Sequence, residues 1–293
     1  DYIGDYEQSD LLDGRANVHT NLTYWRDSRL RFYGFGNATE DDDETNYTQR
    51  RLAFFLRLGY RPWSEFFELG WSTRVEDVAI QEGGVDDLPF AGDAFPGTKG
   101  LEGSTIHGQG FSVAYDDRDS QTIPSRGTLG AAHVEIIERA LGSSESYVKY
   151  GFEVRTFVPL RERFVLAAHG LLDYIAGASR APFYERSTLG GVKTLRGFGE
   201  GRFIDSNRFS STVELRTRAY DRQVFGVNLE VEVAPFVDAG QVFDSAKLLP
   251  FCDLHFVGGL GFRGIVRPQV VGFVDLGFGS DGTAVFTGLD YPF

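Results

Sequence analysis

Cysteine is nearly absent from this 293-residue chain, with Cys252 alone. One thiol excludes an internal disulfide and any cysteine metal cluster. Lysine is scarce, 4 residues against 25 arginines, and proline numbers 10. No apolar run reaches the roughly 20 residues that a membrane-spanning helix needs. Positive charge is in deficit: the net charge is −13, and no basic stripe is present to receive a nucleic acid. The chain begins with neither Met nor a charged-then-apolar leader, so a mature or trimmed polypeptide is expected.

Catalytic and metal motifs are also lacking. The nearest approach to G-x-S-x-G is Gly277 to Gly282 (GFGSDG), where Phe278 replaces the first glycine; it reads as a strand-to-loop transition. The five histidines (His19, His107, His133, His169, His255) fall on separate strands or strand ends without paired metal spacing. His169 and Asp173 share one face, but a polar histidine in a wet interior is the commoner reading than part of a Ser–His–Asp set. No glycine loop precedes a helix to cradle phosphate. The expectation is a non-enzyme without cofactor or metal.

What the chain has is alternation. Val213, Leu215, Thr217 and Ala219 share one face, while Thr212, Glu214, Arg216 and Arg218 share the other. Val148, Tyr150, Phe152 and Val154 alternate with Lys149, Gly151, Glu153 and Arg155. Similar patterns start near Arg51, Phe67, Val227 and Leu254. At the end, Val285, Thr287, Leu289, Tyr291 and Phe293 form one mostly apolar face of a closing strand. Period two alone does not separate a soluble sandwich from a membrane barrel. Three features choose the barrel. The strands run to roughly 10 residues or more, against about 5–6 in soluble sheets. Short and long connections alternate. Aromatics cluster near strand ends, at Tyr60, Trp63, Tyr115, Tyr174, Tyr220 and Tyr291. Mean hydropathy is slightly negative, as expected when half of each strand faces water. The abundant arginines suit an interior where a planar, permanent cation pairs with carboxylates.

The expected fold is therefore all-β: an antiparallel transmembrane β-barrel, one domain over residues 1–293. About twelve to thirteen strands are visible, as part of a barrel of about sixteen. Strand starts are expected near 14, 29, 48, 64, 105, 127, 146, 163, 207, 227, 254, 269 and 283. Tight connections are expected at Arg26–Ser28, Arg61–Trp63, Leu160–Arg163 and Arg267–Gln269. Longer ones are expected at Asn37–Asn46, Asp77–Ser104, Ile175–Asn207 and Phe243–Asp253. The acidic run Glu40–Glu44 reads as a solvated loop. An odd count conflicts with the even numbers of single-chain bacterial barrels. It implies a miscount by one, or completion by strands preceding Asp1 or by a second chain, because an open edge in lipid is costly.

The segment Ala181 to Arg202 (APFYERSTLGGVKTLRGFGEGR) is glycine-rich and lies between two strong strands. Leu195, Arg196, Gly197 and Phe198 resemble the LRGF/VRGY signature of the BamA/TamA-type outer-membrane surface-antigen barrel family. Glu214 in an ELR strand, Asp238 in FVDAG, and the turn YDDRDSQTIPSRGT (Tyr115–Thr128) match it as well. FYGFGN (Phe32–Asn37) is most similar to members with little or no periplasmic module. The resemblance covers about residue 30 to 293 and implies that Arg196 pins a loop to the inner wall through Glu214 and Asp238. An arginine fork suits two carboxylates, and both acids face inward on adjacent strands. Gly197 and its neighbours are expected to let the loop tip turn tightly with φ > 0. Leu289, Tyr291 and Phe293 resemble the family's aromatic C-terminal assembly signal, at a seam that Pro292 weakens by removing one donor.

The implied location is the outer membrane of a Gram-negative-type bacterium or of an organelle derived from one. The implied function is insertion or transport of proteins, or lipids, through the lumen or a lateral seam, by strand addition to an incompletely paired edge. Expected partners are outer-membrane lipids and a client outer-membrane or secreted polypeptide. Two alternatives come from other classes: a passive ion or solute pore, and the membrane anchor of a larger patatin-like lipase.

Overall fold

The computed structural model describes residues 2–224, 227–244, 251, 253–267 and 270–293. Cys252, the turn Arg267–Gln269 and most of the connection Phe243–Asp253 lie wholly or partly outside the described residues.

Fifteen strands follow in chain order: β1 Tyr2–Leu11, β2 Ala16–Phe32, β3 Thr45–Tyr60, β4 Phe67–Glu82, β5 Ser104–Asp116, β6 Gly127–Ile137, β7 Tyr147–Arg161, β8 Phe164–Ala176, β9 Ser187–Leu189, β10 Phe203–Asp205, β11 Asn207–Val224, β12 Val227–Phe243, β13 His255–Val266, β14 Val270–Gly279 and β15 Gly282–Leu289. Thirteen of them form one sheet in sequence order, every ladder antiparallel, with β9 and β10 set apart as a small hairpin in the long β8–β11 connection.

The sheet is rolled. Ile123, between β5 and β6, is buried in a cluster with Ile265 of β13 and Val271 of β14. Along a flat sheet β6 and β13 are five ladder steps apart, roughly 24 Å at about 4.8 Å per step. Only curvature brings those residues together.

The two faces are inverted relative to a soluble protein. Leu52, Phe54, Phe111, Phe152, Val213, Val237, Phe256, Phe278 and Leu289 are exposed, whereas Glu76, Glu214, Arg216, Asp238, Arg263 and Asp275 are buried. An apolar belt of that extent is costly in water and is the surface hydrocarbon requires. The charged face lines the interior, where each of these charges finds a partner of opposite sign.

Among the described residues the sheet has the expected thirteen strands, but its first two members differ from expectation. One strand, β2, runs through the segment read as a turn at Arg26–Ser28, and an earlier strand, β1, precedes it. The polar Asp27–Ser28 pair makes a β-bulge: the ladder to β3 shifts between Asp27 and Leu30. The Asp27 carboxylate accepts the Arg29 N–H at 2.8 Å, and the Ser28 carbonyl accepts from Gly84 N–H at 2.7 Å. Turn chemistry thus marks an irregularity inside a long strand.

The end of the chain also departs from the alternation. β15 stops at Leu289, which faces outward at 76 % exposure. Asp290 adopts φ +68°, and the following residues enter the lumen. Tyr291 and Phe293 therefore do not continue the outer face. Phe293 is buried against Phe157 and Ala167 and stacks on His169 at 5.3 Å. Arg216 lies 3.8 Å from the centre of the Tyr291 ring. Among the described residues no ladder joins β1 to β15.

Candidate functional site

The β8–β11 connection folds into the lumen. Its limbs pair as the β9–β10 hairpin, with Ser187 opposite Asp205 and Leu189 opposite Phe203. Gly190 and Gly191, at φ +116° and +87°, turn the tip. The tip closes on itself: Gly191 N–H donates to the Phe198 carbonyl at 3.0 Å, and Leu195 N–H to the Gly191 carbonyl at 3.1 Å. Leu189, Leu195, Phe198 and Phe203 pack on Phe236, Val242 and Val257 of the wall.

Arg196 projects from this tip into an acidic socket. Its Nε and Nη2 donate to the two oxygens of Asp238 at 3.0 and 2.9 Å, and its backbone N–H to Asp238 at 3.1 Å. Nη1 donates to Glu214 at 3.0 Å and to Asp275 at 2.9 Å. The guanidinium lies 3.4 Å from the ring centre of Phe236. β11 and β12 place the two expected partners, since Thr212 is opposite Asp238 and Glu214 opposite Phe236. Asp275 comes from β14 and was not singled out in the sequence. Two wall cations complete the set: Arg263 binds Asp275 and Glu214, and Arg216 Nε donates to Glu214 at 2.8 Å. Three arginines thus face three carboxylates with no net charge, which is how such a buried cluster is tolerated. Burial alone would loosen the Arg196 proton; the hydrogen bond and charge of Asp238, with Glu214 and Asp275, outweigh it and raise the pKa above the ordinary guanidinium value.

Gly197 itself has a different reason from the one expected, while its neighbours turn the loop as expected. The positive-φ glycines of the loop are Gly177, Gly190, Gly191 and Gly201, so glycines around Gly197 make the turns and Gly197 itself does not. Gly197 is required by proximity: a Cβ there would lie 2.7 Å from Val257 Cγ2 and 2.8 Å from Gly279 N. The wall answers in kind, since a Cβ on Gly277 would lie 1.9 Å from the Arg196 carbonyl oxygen. The Gly277–Gly279 stretch, read from sequence as a plain strand end, is the surface on which the tip rests.

A second anchor was not legible in the sequence. Glu185, on the descending limb, is 3 % exposed. Arg74 of β4 holds it with Nη1 at 3.1 Å and Nη2 at 2.9 Å, and Lys149 of β7 approaches to 3.3 Å. Arg51 of β3 lies at 3.6 Å, and the Tyr147 hydroxyl donates at 3.3 Å. Burial would raise the Glu185 pKa, but Lys149, Arg74 and Arg51 outweigh it and hold it well below the usual carboxylate range. The loop therefore spans the lumen between two sockets of opposite polarity: a cation in an acidic socket on β11, β12 and β14, and an anion in a basic socket on β3, β4 and β7.

The histidines form no site. Asp173 pairs with Arg208 rather than His169, and His169 Nε2 bonds Glu153 at 3.0 Å. Among the described residues no group of His, Cys, Asp and Glu could hold a metal ion.

Residues 8–253 match the model of the Omp85 superfamily domain. The chain belongs to the Omp85 superfamily. It is 27 % identical over 225 residues to an outer membrane protein assembly factor BamA from Nitratidesulfovibrio vulgaris, covering 70 % of this chain and 26 % of that protein. A crystal structure of BamA from Haemophilus ducreyi lacking POTRA domains 1–3 superposes with a TM-score of 0.68 at 15 % identity, covering 98 % of this chain and 61 % of that one. The chain thus spans about a quarter of the curated relative's length. The inverted sheet and this membership make it an outer-membrane β-barrel of the Gram-negative type.

Proposed function

We propose that this Omp85 barrel assembles or translocates polypeptides at the outer membrane, using the edge of its short last strand, β15, as the docking line. The observation that carries this reading is the shortness of the last strand: β15 has 8 residues and stops at Leu289, against 16 in β3 and in β4, so it offers only a short ladder to the strand that closes on it. Backbone donors and acceptors left open at membrane depth are costly, and an incoming strand satisfies them. The relative from N. vulgaris is named for outer-membrane protein assembly, which supports the same direction. The substrate's own folding or partitioning supplies the driving force, and the reading includes no catalytic step.

The filled lumen weighs against a passive pore. Leu195, Arg196, Phe198 and Phe203 occupy the interior as buried side chains, and two anchors of opposite sign hold the loop that carries them.

Reconstitution tests the proposal. Liposomes containing the chain should accelerate folding of a urea-unfolded outer-membrane protein. A covalent cross-link that fixes the outer edge of β15 to the strand closing on it should abolish the acceleration. Equal acceleration by the cross-linked barrel sinks the edge mechanism, and steady single-channel current without acceleration favours the pore.

A further inference from the structure

The motif Tyr115–Thr128, with its aspartates, Pro124 and Gly127, has no part in the loop clamp. The structure gives it a separate place. It joins β5 to β6 at the end of the barrel carrying the short turns, the same end at which the tail after β15 enters.

The connection is a prefolded mount. The Asp119 carboxylate accepts from Ser125 N–H at 2.9 Å, Ser125 Oγ at 2.5 Å and Arg126 N–H at 3.2 Å. Asp117 accepts from Thr128 N–H at 2.6 Å, and the Arg118 guanidinium grips Asp116 at 2.8 Å. Gly127 sits at φ +102°, where a Cβ would lie 2.5 Å from the Asp117 carbonyl oxygen. Pro124 restricts the preceding residue to extended backbone, and Ser120 Oγ accepts the Ile123 N–H at 3.0 Å. These bonds all lie between Asp116 and Thr128, the connection and the strand residues that flank it, so its order does not depend on a distant contact. What the mount presents is one apolar side chain, Ile123, 5 % exposed.

That side chain crosses the mouth to the cross-strand pair Ile265–Val271 and the partly buried Tyr291. Val271 is also where the tail is fastened: its carbonyl accepts the Asp290 N–H at 2.8 Å. One residue thus holds the tip through its side chain and the tail through its backbone. Tyr291 is in turn fixed by its hydroxyl, which donates to Glu232 at 2.7 Å.

We propose that the β5–β6 connection is a stopper for the short-turn mouth, and that Ile123 latches it to the tail, so that uncovering this mouth and releasing the tail of β15 are one event. The inference goes beyond the assembly function, because its readout needs no client. Coupling of this kind is reciprocal: loosening either partner loosens the other.

Thiol accessibility in liposomes tests it, with full chains in which Cys252 is replaced by serine. In a Pro292→Cys chain, Ile123→Asp and Ile123→Ala should each speed labelling of the introduced thiol by a water-soluble maleimide by about tenfold or more, while Ile123→Val leaves it slow. In a Val271→Cys chain, Tyr291→Ala should speed labelling of the thiol placed on β14. A Thr194→Cys reporter in the β8–β11 loop should stay protected throughout. An unchanged rate at either the tail thiol or the β14 thiol overturns the coupling. Faster labelling of the loop reporter as well overturns it too, since the barrel has then loosened as a whole.

Discussion

At the residue scale, the chemistry of this barrel is that of buried charges which must balance. Removing the Arg196 guanidinium leaves Glu214, Asp238 and Asp275 facing only Arg216 and Arg263. Arg196→Ala is therefore expected to cost about 3–5 kcal/mol, the usual effect of breaking a buried pair on one side. Arg196→Lys should recover only part of this, because one ammonium cannot reproduce the two-pronged grip on Asp238. Thermal unfolding in detergent reads both. Glu185 gives a pH test. Its pKa is lowered in the folded chain, so its stabilisation is complete above the unfolded value of about 4.3 and fades as pH falls from there toward the folded value. The difference in melting temperature between the native chain and Glu185→Gln should stay constant from pH 7 to about 5 and narrow below about pH 4. A gap that does not change with acid would remove Glu185 from the anchoring set.

At the element scale, three segments show why pattern and placement part company. β2 carries a bulge where its polar Asp27–Ser28 pair imitates a turn. β15 looks two or four residues longer than it is, since Leu289, Tyr291 and Phe293 keep the outward beat. The positive φ of Asp290 ends that beat and sends the last residues inside, because the buried surface at Phe157 and Ala167 accepts an aromatic ring. β14 carries glycines that sequence alone reads as filler. Their use is closeness: Gly277→Ala would drive a methyl into the Arg196 carbonyl. That single change should lift the loop tip off the wall, speeding maleimide labelling of a Thr194→Cys reporter while the strand ladders persist by circular dichroism. Protection equal to that of the glycine form would mean the tip does not depend on this approach.

At the scale of the whole molecule, the lumen is occupied from both ends. The β8–β11 loop fills it from the long-loop side, beneath a dome of Phe32, Tyr47, Phe183 and Ile204. Ile123 and the tail fill it from the other. A barrel built this way should conduct poorly at rest. Arg196→Ala and Glu185→Gln together should raise current and current noise in planar bilayers more than either alone, since the anchors sit on opposite walls and share no partner. A double variant no noisier than the singles would show that one anchor carries the loop by itself.

The sequence by itself determined that strands, not helices, meet the membrane. Two-residue periodicity, long strands and the absence of a 20-residue apolar run are local properties that any register preserves. It also singled out Arg196, Glu214 and Asp238, through the resemblance that the LRGF motif carries and the inward parity of the two acids, and the structure brings these three into contact. Only the tertiary structure decided Asp275, Arg263, Glu185 and Ile123. Each is one of many like residues along an alternating strand or polar turn, and the partners that define its role lie elsewhere on the wall. Rolling the sheet is what sets those partners opposite one another, and no local spacing encodes a distance across the lumen.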